Sequence, residues 1–122
     1  MNIDQIHKWI SYDMLIGSHT ANHKNLKTLN KIEKKYQIYE PINFFKKNFN
    51  VHPIFFSYPF GLYDSETVEI VKLFYKFAFT TKRGRYNTLK FNNLEIPRIP
   101  INKKDSIFKF FLKTQTFYED IK

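Results

Sequence analysis

Three short apolar runs, at residues 14–16, 51–56 and 77–81, are separated by stretches whose apolar residues recur at helical spacing. Runs this short are too brief for core helices and fit strands buried on both faces. Strands that alternate with helices imply parallel strands joined by crossover helices, so the expected class is α/β. Ile3, Ile6 and Ile10, with Asp4 in the first turn, predict a short helix over 3–11. Residues 30–49 carry Ile32, Tyr36, Ile38, Tyr39, Ile42, Phe45 and Phe49 among lysines, a second helical pattern. Pro41 should kink or restart it, since proline lacks the donor and crowds the preceding turn. Asp64 is a candidate N-cap for a helix through Lys76, with Glu66 in its first turn and Val68, Val71 and Tyr75 on one face. Residues 82–93 read as a polar loop and 94–101 as an extended, proline-containing segment. Asp105 is expected to cap a last helix bearing Ile107, Phe110, Phe111 and Leu112. No internal repeat or linker divides the chain, so residues 1–122 are expected to form a single domain.

Hydrophobic residues make up 43% of the chain and aromatics 19%, including 14 Phe and 8 Tyr, which argues against disorder and for an interior filled by rings. The formal charge of +9 comes from 20 Lys and Arg against 11 Asp and Glu, and raises the question of an anionic partner. The cations are mostly lysines scattered along the chain, with Arg only at 83, 85 and 98. A solvated lysine-rich surface explains them, so no nucleic-acid partner is expected; a basic nucleic-acid-binding module is the remote alternative. Without Cys there are no disulfides and no thiolate metal sites. No stretch approaches the roughly 20 apolar residues that span a bilayer. Residues 1–12 are amphipathic and do not read as a signal peptide.

The chemistry-bearing residues cluster after the first apolar run. His19 and His23 are four apart, a spacing that on a helical turn or a tight strand-end loop sets two imidazoles on one side, within reach of one metal ion. The spacing alone is a weak signal. His7 lies near the apolar face of the first helix and is expected to be packed or solvated.

The context is more specific. Ile16-Gly17-Ser18-His19-Thr20-Ala21-Asn22-His23 resembles the H-[ST]-x-x-H metal motif of the NodB-homology polysaccharide deacetylases. Ser57-Tyr58-Pro59-Phe60-Gly61-Leu62-Tyr63-Asp64 resembles that family's P-[YF]-G groove motif. Tyr75-Lys76-Phe77-Ala78-Phe79-Thr80-Thr81 and Leu94-Glu95-Ile96-Pro97-Arg98-Ile99 resemble two further segments of the poly-N-acetylglucosamine deacetylase group. The four matches occur in the family's order and cover about residues 3–101.

The resemblance implies a partial, distorted (β/α) barrel and a metal-dependent hydrolase, with zinc the expected divalent ion, that removes N-acetyl groups from an N-acetylated polysaccharide. A divalent ion suits that reaction because it lowers the pKa of bound water and polarises a carbonyl. By the same resemblance His19 and His23 are metal ligands and Thr20 shapes their loop. Tyr58, Pro59, Phe60 and Gly61 form one wall of the substrate groove, and Arg98 orients a catalytic carboxylate. Read without the family, residues 58–61 are also compatible with a plain strand-to-helix turn, and Arg98 with a surface ion pair. A cell-envelope setting is suggested by the resemblance alone.

Two family features are missing. The first is an upstream strand ending in Thr-Phe-Asp-Asp, the source of the general base and the third metal ligand. Asp4, Asp13, Asp64, Asp105 and Asp120 are unpaired in sequence and follow no buried strand. The second is a C-terminal Leu-x-His; no His follows His52, which precedes its strand and is expected to be non-catalytic. The chain is therefore expected to lack the first strand or strands of the barrel and to have little or no activity alone; gene truncation, a mis-assigned start codon or a partner chain supplying the missing strand are all compatible with this. A non-catalytic relative that binds sugar or a partner is the alternative.

Overall fold

A computed structural model of the chain describes residues 1–87 and 92–116. Four parallel strands, β1 (Gly17–Ser18), β2 (Phe55–Ser57), β3 (Phe77–Arg83) and β4 (Ile96–Arg98), form one sheet in sequential order. Helix α1 (Ile3–Ser11) precedes β1, α2 (Lys31–Phe49) links β1 to β2, α3 (Ser65–Lys72) links β2 to β3, and α4 (Ile107–Gln115) follows β4. Register pairs Phe56 with Ser18 on one side and with Ala78 on the other. The sheet is open, and among the described residues no strand lies beyond β1 or β4. The α/β class and the order of elements agree with the sequence.

The two-residue period of the strands divides their side chains between two environments. Ser18, Phe56, Ala78 and Thr80 are buried. Phe56 and Ala78 join one core with Ile38 and Ile42 of α2 and Ile70 and Val71 of α3. Each fully buried side chain of this size contributes roughly 1.5–3 kcal/mol. Gly17, Phe55, Ser57 and Phe79 take the alternate positions and line an open cavity. Phe55 there stacks on Phe77 at 5.4 Å and lies 6.2 Å from Phe79.

Several boundaries differ from expectation for identifiable reasons. The first strand is Gly17–Ser18, not the apolar run before it; Met14 and Leu15 are exposed, and Trp9 Nε1 donates to Leu15 O to tie this lead-in back to α1. The second strand starts at Phe55, after the buried Pro53. β3 runs on to Arg83 because β4 pairs with it there. Helix α2 continues through Pro41 without a break, and α3 ends at Lys72, short of Lys76. Asp64 does cap α3, accepting the Thr67 N–H at 2.8 Å. The cap of α4 is Ser106, one residue beyond Asp105. Asp105 instead accepts the Asn102 N–H and pairs with Lys109 and Lys113.

Candidate active site

The site is assembled where β1 and β2 end. His19 is the first residue after β1, and its Nδ1 lies 2.7 Å from Ser57 O at the end of β2. A carbonyl only accepts, so Nδ1 carries the proton and Nε2 keeps a free lone pair directed elsewhere.

The loop from Thr20 to His23 is held at several points. Thr20 and His23 both adopt left-handed backbone, φ 68° and 52°, which for such residues requires support from the surroundings. Thr20 Oγ1 accepts the His23 N–H at 3.0 Å. The buried Gln37 of α2 holds the middle: its backbone O accepts the Ala21 N–H at 3.0 Å and its side-chain Oε1 accepts the Asn22 N–H at 2.9 Å. Pro41 explains why that backbone carbonyl is free. In an uninterrupted helix Gln37 O would accept the N–H four residues on, but Pro41 has none. Leu26, fully buried, anchors the chain beyond His23.

These restraints bring the His19 and His23 rings to 4.7 Å between centroids. Phe60 meets His23 edge-on at 4.6 Å. It reaches there from the turn Pro59–Gly61, where Phe60 (φ 59°) and Gly61 (φ 68°) are both left-handed. His19, Ser57, Phe60, Phe79, Thr81 and Arg98 line a cavity of about 450 Å³, of which His23 is not a lining residue. Arg98, on β4, is anchored by its Nε, which donates to Thr80 O at 2.6 Å. No carboxylate pairs with Arg98 among the described residues.

The residues expected to form a groove wall divide sharply. Phe60 is 61% exposed and turns its ring to the site. Tyr58 borders the cavity, but it is 1% exposed; its hydroxyl donates to Leu94 O and its ring stacks on Tyr63 at 4.3 Å. Burial, with Tyr63 and Glu95 nearby, pushes that hydroxyl's pKa well up, so it stays protonated. Pro59 is buried. Gly61 borders a neighbouring cavity of about 540 Å³ with Tyr63, Lys82 and Glu95. His7 packs against Phe49 at 4.8 Å. Neither His7 nor His52 lines either cavity.

Sequence reasoning did not single out Ser57 O, Gln37 or Thr81. A backbone carbonyl has no residue signature, and Thr81 is identified only by facing Gly61 across the fold. Pro41 within a helical pattern was the one available pointer to Gln37.

Two imidazoles, one with its tautomer fixed by a carbonyl, suit zinc and leave positions open for other ligands. Among the described residues no group of three or more His, Cys, Asp or Glu could share an ion, so the pair supplies two ligands and no carboxylate.

A family model described as polysaccharide deacetylase matches residues 1–75. No curated protein matches the sequence. Among solved structures, the fold is similar to that of a Streptococcus pyogenes deacetylase in complex with acetate, at TM-score 0.87 and 23% identity over 94% of this chain and 51% of that one. It is also similar to a Bacillus cereus polysaccharide deacetylase, at TM-score 0.83 and 24% identity over 90% of this chain and 35% of that one. A de-N-acetylase from Aggregatibacter actinomycetemcomitans matches at TM-score 0.73 and 14% identity over 90% of this chain and 52% of that one. The chain spans about half or less of these proteins' length. At such identities the likeness is one of fold.

Proposed function

Because this chain belongs to the polysaccharide deacetylase family, we propose that its His19–His23 site serves the removal of N-acetyl groups from an N-acetylated polysaccharide. Residues 1–122 would form one incomplete deacetylase-type domain, whose two imidazoles would be ligands of a divalent ion, zinc foremost. The observation that carries this reading is the pairing with His23 of His19, which lines an open cavity and has its Nδ1 engaged by Ser57 O. The Streptococcus pyogenes relative, solved with acetate, carries the acid that such a reaction releases.

When bound, the metal would polarise the acetamide carbonyl and acidify a water. The chain's own residues supply the rest. His19 offers Nε2, and Thr20 steadies the loop that carries His23. Phe60 gives an apolar face against which a sugar ring can lie. Arg98, anchored through Nε, presents its remaining guanidinium nitrogens to a carboxylate or to the substrate. Among the described residues no carboxylate joins the two imidazoles to act as base toward a water. A carboxylate must come from elsewhere, for which a partner chain pairing with the open edge of β1 is one source. The chain alone is accordingly expected to turn over slowly or not at all.

That no carboxylate joins the imidazoles among the described residues also favours a second reading, a non-catalytic relative that binds sugar or a partner chain. Calorimetric zinc titration of the full chain, with acetate release from N-acetylglucosamine oligomers measured in parallel, tests both. Zinc binding that is weakened at least about tenfold in both His19→Ala and His23→Ala supports the metal site; zinc binding unchanged by these substitutions rejects it. Zinc-dependent acetate release then distinguishes the enzyme from the binder.

A further inference from the structure

Of the two imidazoles, only His19 is oriented by a hydrogen bond. Among the described residues the His23 ring makes none, and its ring contacts are with His19 at 4.7 Å and Phe60 at 4.6 Å. Metal-binding histidines ordinarily have their second ring nitrogen held by a carboxylate, a carbonyl or water, because a freely rotating ring loses conformational entropy on binding. Phe60 instead packs its ring against this imidazole. It meets the imidazole edge to face at 68°, an arrangement favoured by the ring quadrupoles.

Two further observations tie Phe60 to this contact. With 61% of its surface exposed, it adds little to the core. Its backbone is left-handed, φ 59°, an unfavourable state for a bulky residue.

We propose that Phe60 is a positioning residue for His23, holding its imidazole ready to bind a divalent metal by ring contact instead of a hydrogen bond. The inference rests on the metal reading of the His pair and goes beyond a groove-wall role for Phe60. A wall residue acts on sugar and leaves metal affinity alone. A positioning residue changes metal affinity with no sugar present.

The test is zinc titration of the full chain, without substrate, in Phe60→Leu, Phe60→Asn and Phe60→Tyr, with His19→Ala as reference. Asn tolerates left-handed backbone, so Phe60→Asn removes the ring without adding strain and guards against misfolding of Phe60→Leu. Phe60→Leu and Phe60→Asn are expected to weaken zinc binding about tenfold, the lower range for loss of a ligand's supporting partner. Phe60→Tyr, which keeps the ring, should bind like the parent. If Phe60→Leu and Phe60→Asn bind zinc as tightly as the parent while His19→Ala does not, the positioning role is overturned and the metal site stands. If the parent and His19→Ala bind zinc alike, the metal reading fails and the role of Phe60 fails with it.

Discussion

Gly61 shows how little freedom the turn beneath the site has. Its φ of 68° favours glycine, and a Cβ built on it would lie 1.9 Å from Thr81 Oγ1. Any side chain must therefore move Thr81 or the turn that presents Phe60. Gly61→Ala is expected to destabilise the chain by about 2–4 kcal/mol, from roughly 1 kcal/mol of left-handed strain and 1–3 kcal/mol of overpacking. Urea denaturation measures this. Adding Thr81→Gly should recover part of the loss, because the clash lies between these two residues; equal losses in the single and double variants would place the cost in the backbone alone. The glycine was visible in the sequence as part of a Pro-x-Gly turn. Its clash partner, 20 positions later, was not, because only strand packing sets Thr81 beside it.

Helix α2 stabilises the site as well as the core. Its first turn is closed by a capping box in which Asn30 accepts the Glu33 N–H and the Glu33 carboxylate accepts the Asn30 N–H. Ile38 and Ile42 face the core, and Pro41 frees the carbonyl that holds the histidine loop. Helical spacing predicted the element; of the kink or restart expected at Pro41, the restart does not occur, since one helix runs from Lys31 to Phe49. The proline is tolerated because the carbonyl it leaves unpaired accepts the Ala21 N–H, and Ile38 O nearby accepts the Tyr75 hydroxyl at 2.8 Å. Gln37→Leu keeps the helix and removes the side-chain acceptor of the Asn22 N–H. Hydrogen exchange should then speed at Asn22 and His23 while amides in the core half of α2 stay protected. Unchanged exchange at Asn22 would show that Gln37 does not brace the loop. Caps read from sequence succeeded where the signal was local, as at Asp64, and slipped by one residue at Asp105–Ser106, where two capable side chains adjoin.

Across the whole fold, α2 is tied to the start of α3 by Lys34, nearly fully buried, whose Nζ lies 2.7 Å from Asp64 and 2.9 Å from Glu66. Burial pushes the Asp64 carboxyl up, but Lys34 and Thr67 outweigh it and bring its pKa down to about 2. A carboxylate whose folded pKa is depressed contributes stability that is present above its unfolded pKa, near 3.8, and is lost as pH falls through about 2. Asp105, held low chiefly by Lys113, adds to the same acid loss. Thermal unfolding midpoints should therefore fall between pH 4 and pH 2, and Asp64→Asn should make that fall shallower. An identical acid profile in the variant would assign the loss to other groups.

The alternation of strands and helices, the place of each element to within a few residues, the absence of thiolate chemistry and the family resemblance were all present in the sequence, because they depend on local periodicity and short motifs. Tertiary structure alone decided which carbonyl orients His19, which ring touches His23, that Tyr58 belongs to the core while Phe60 faces the site, and that Arg98 is bound to Thr80 O. These contacts join residues of neighbouring strands or of the loops that leave them, and they exist only once parallel register has set the strand ends side by side.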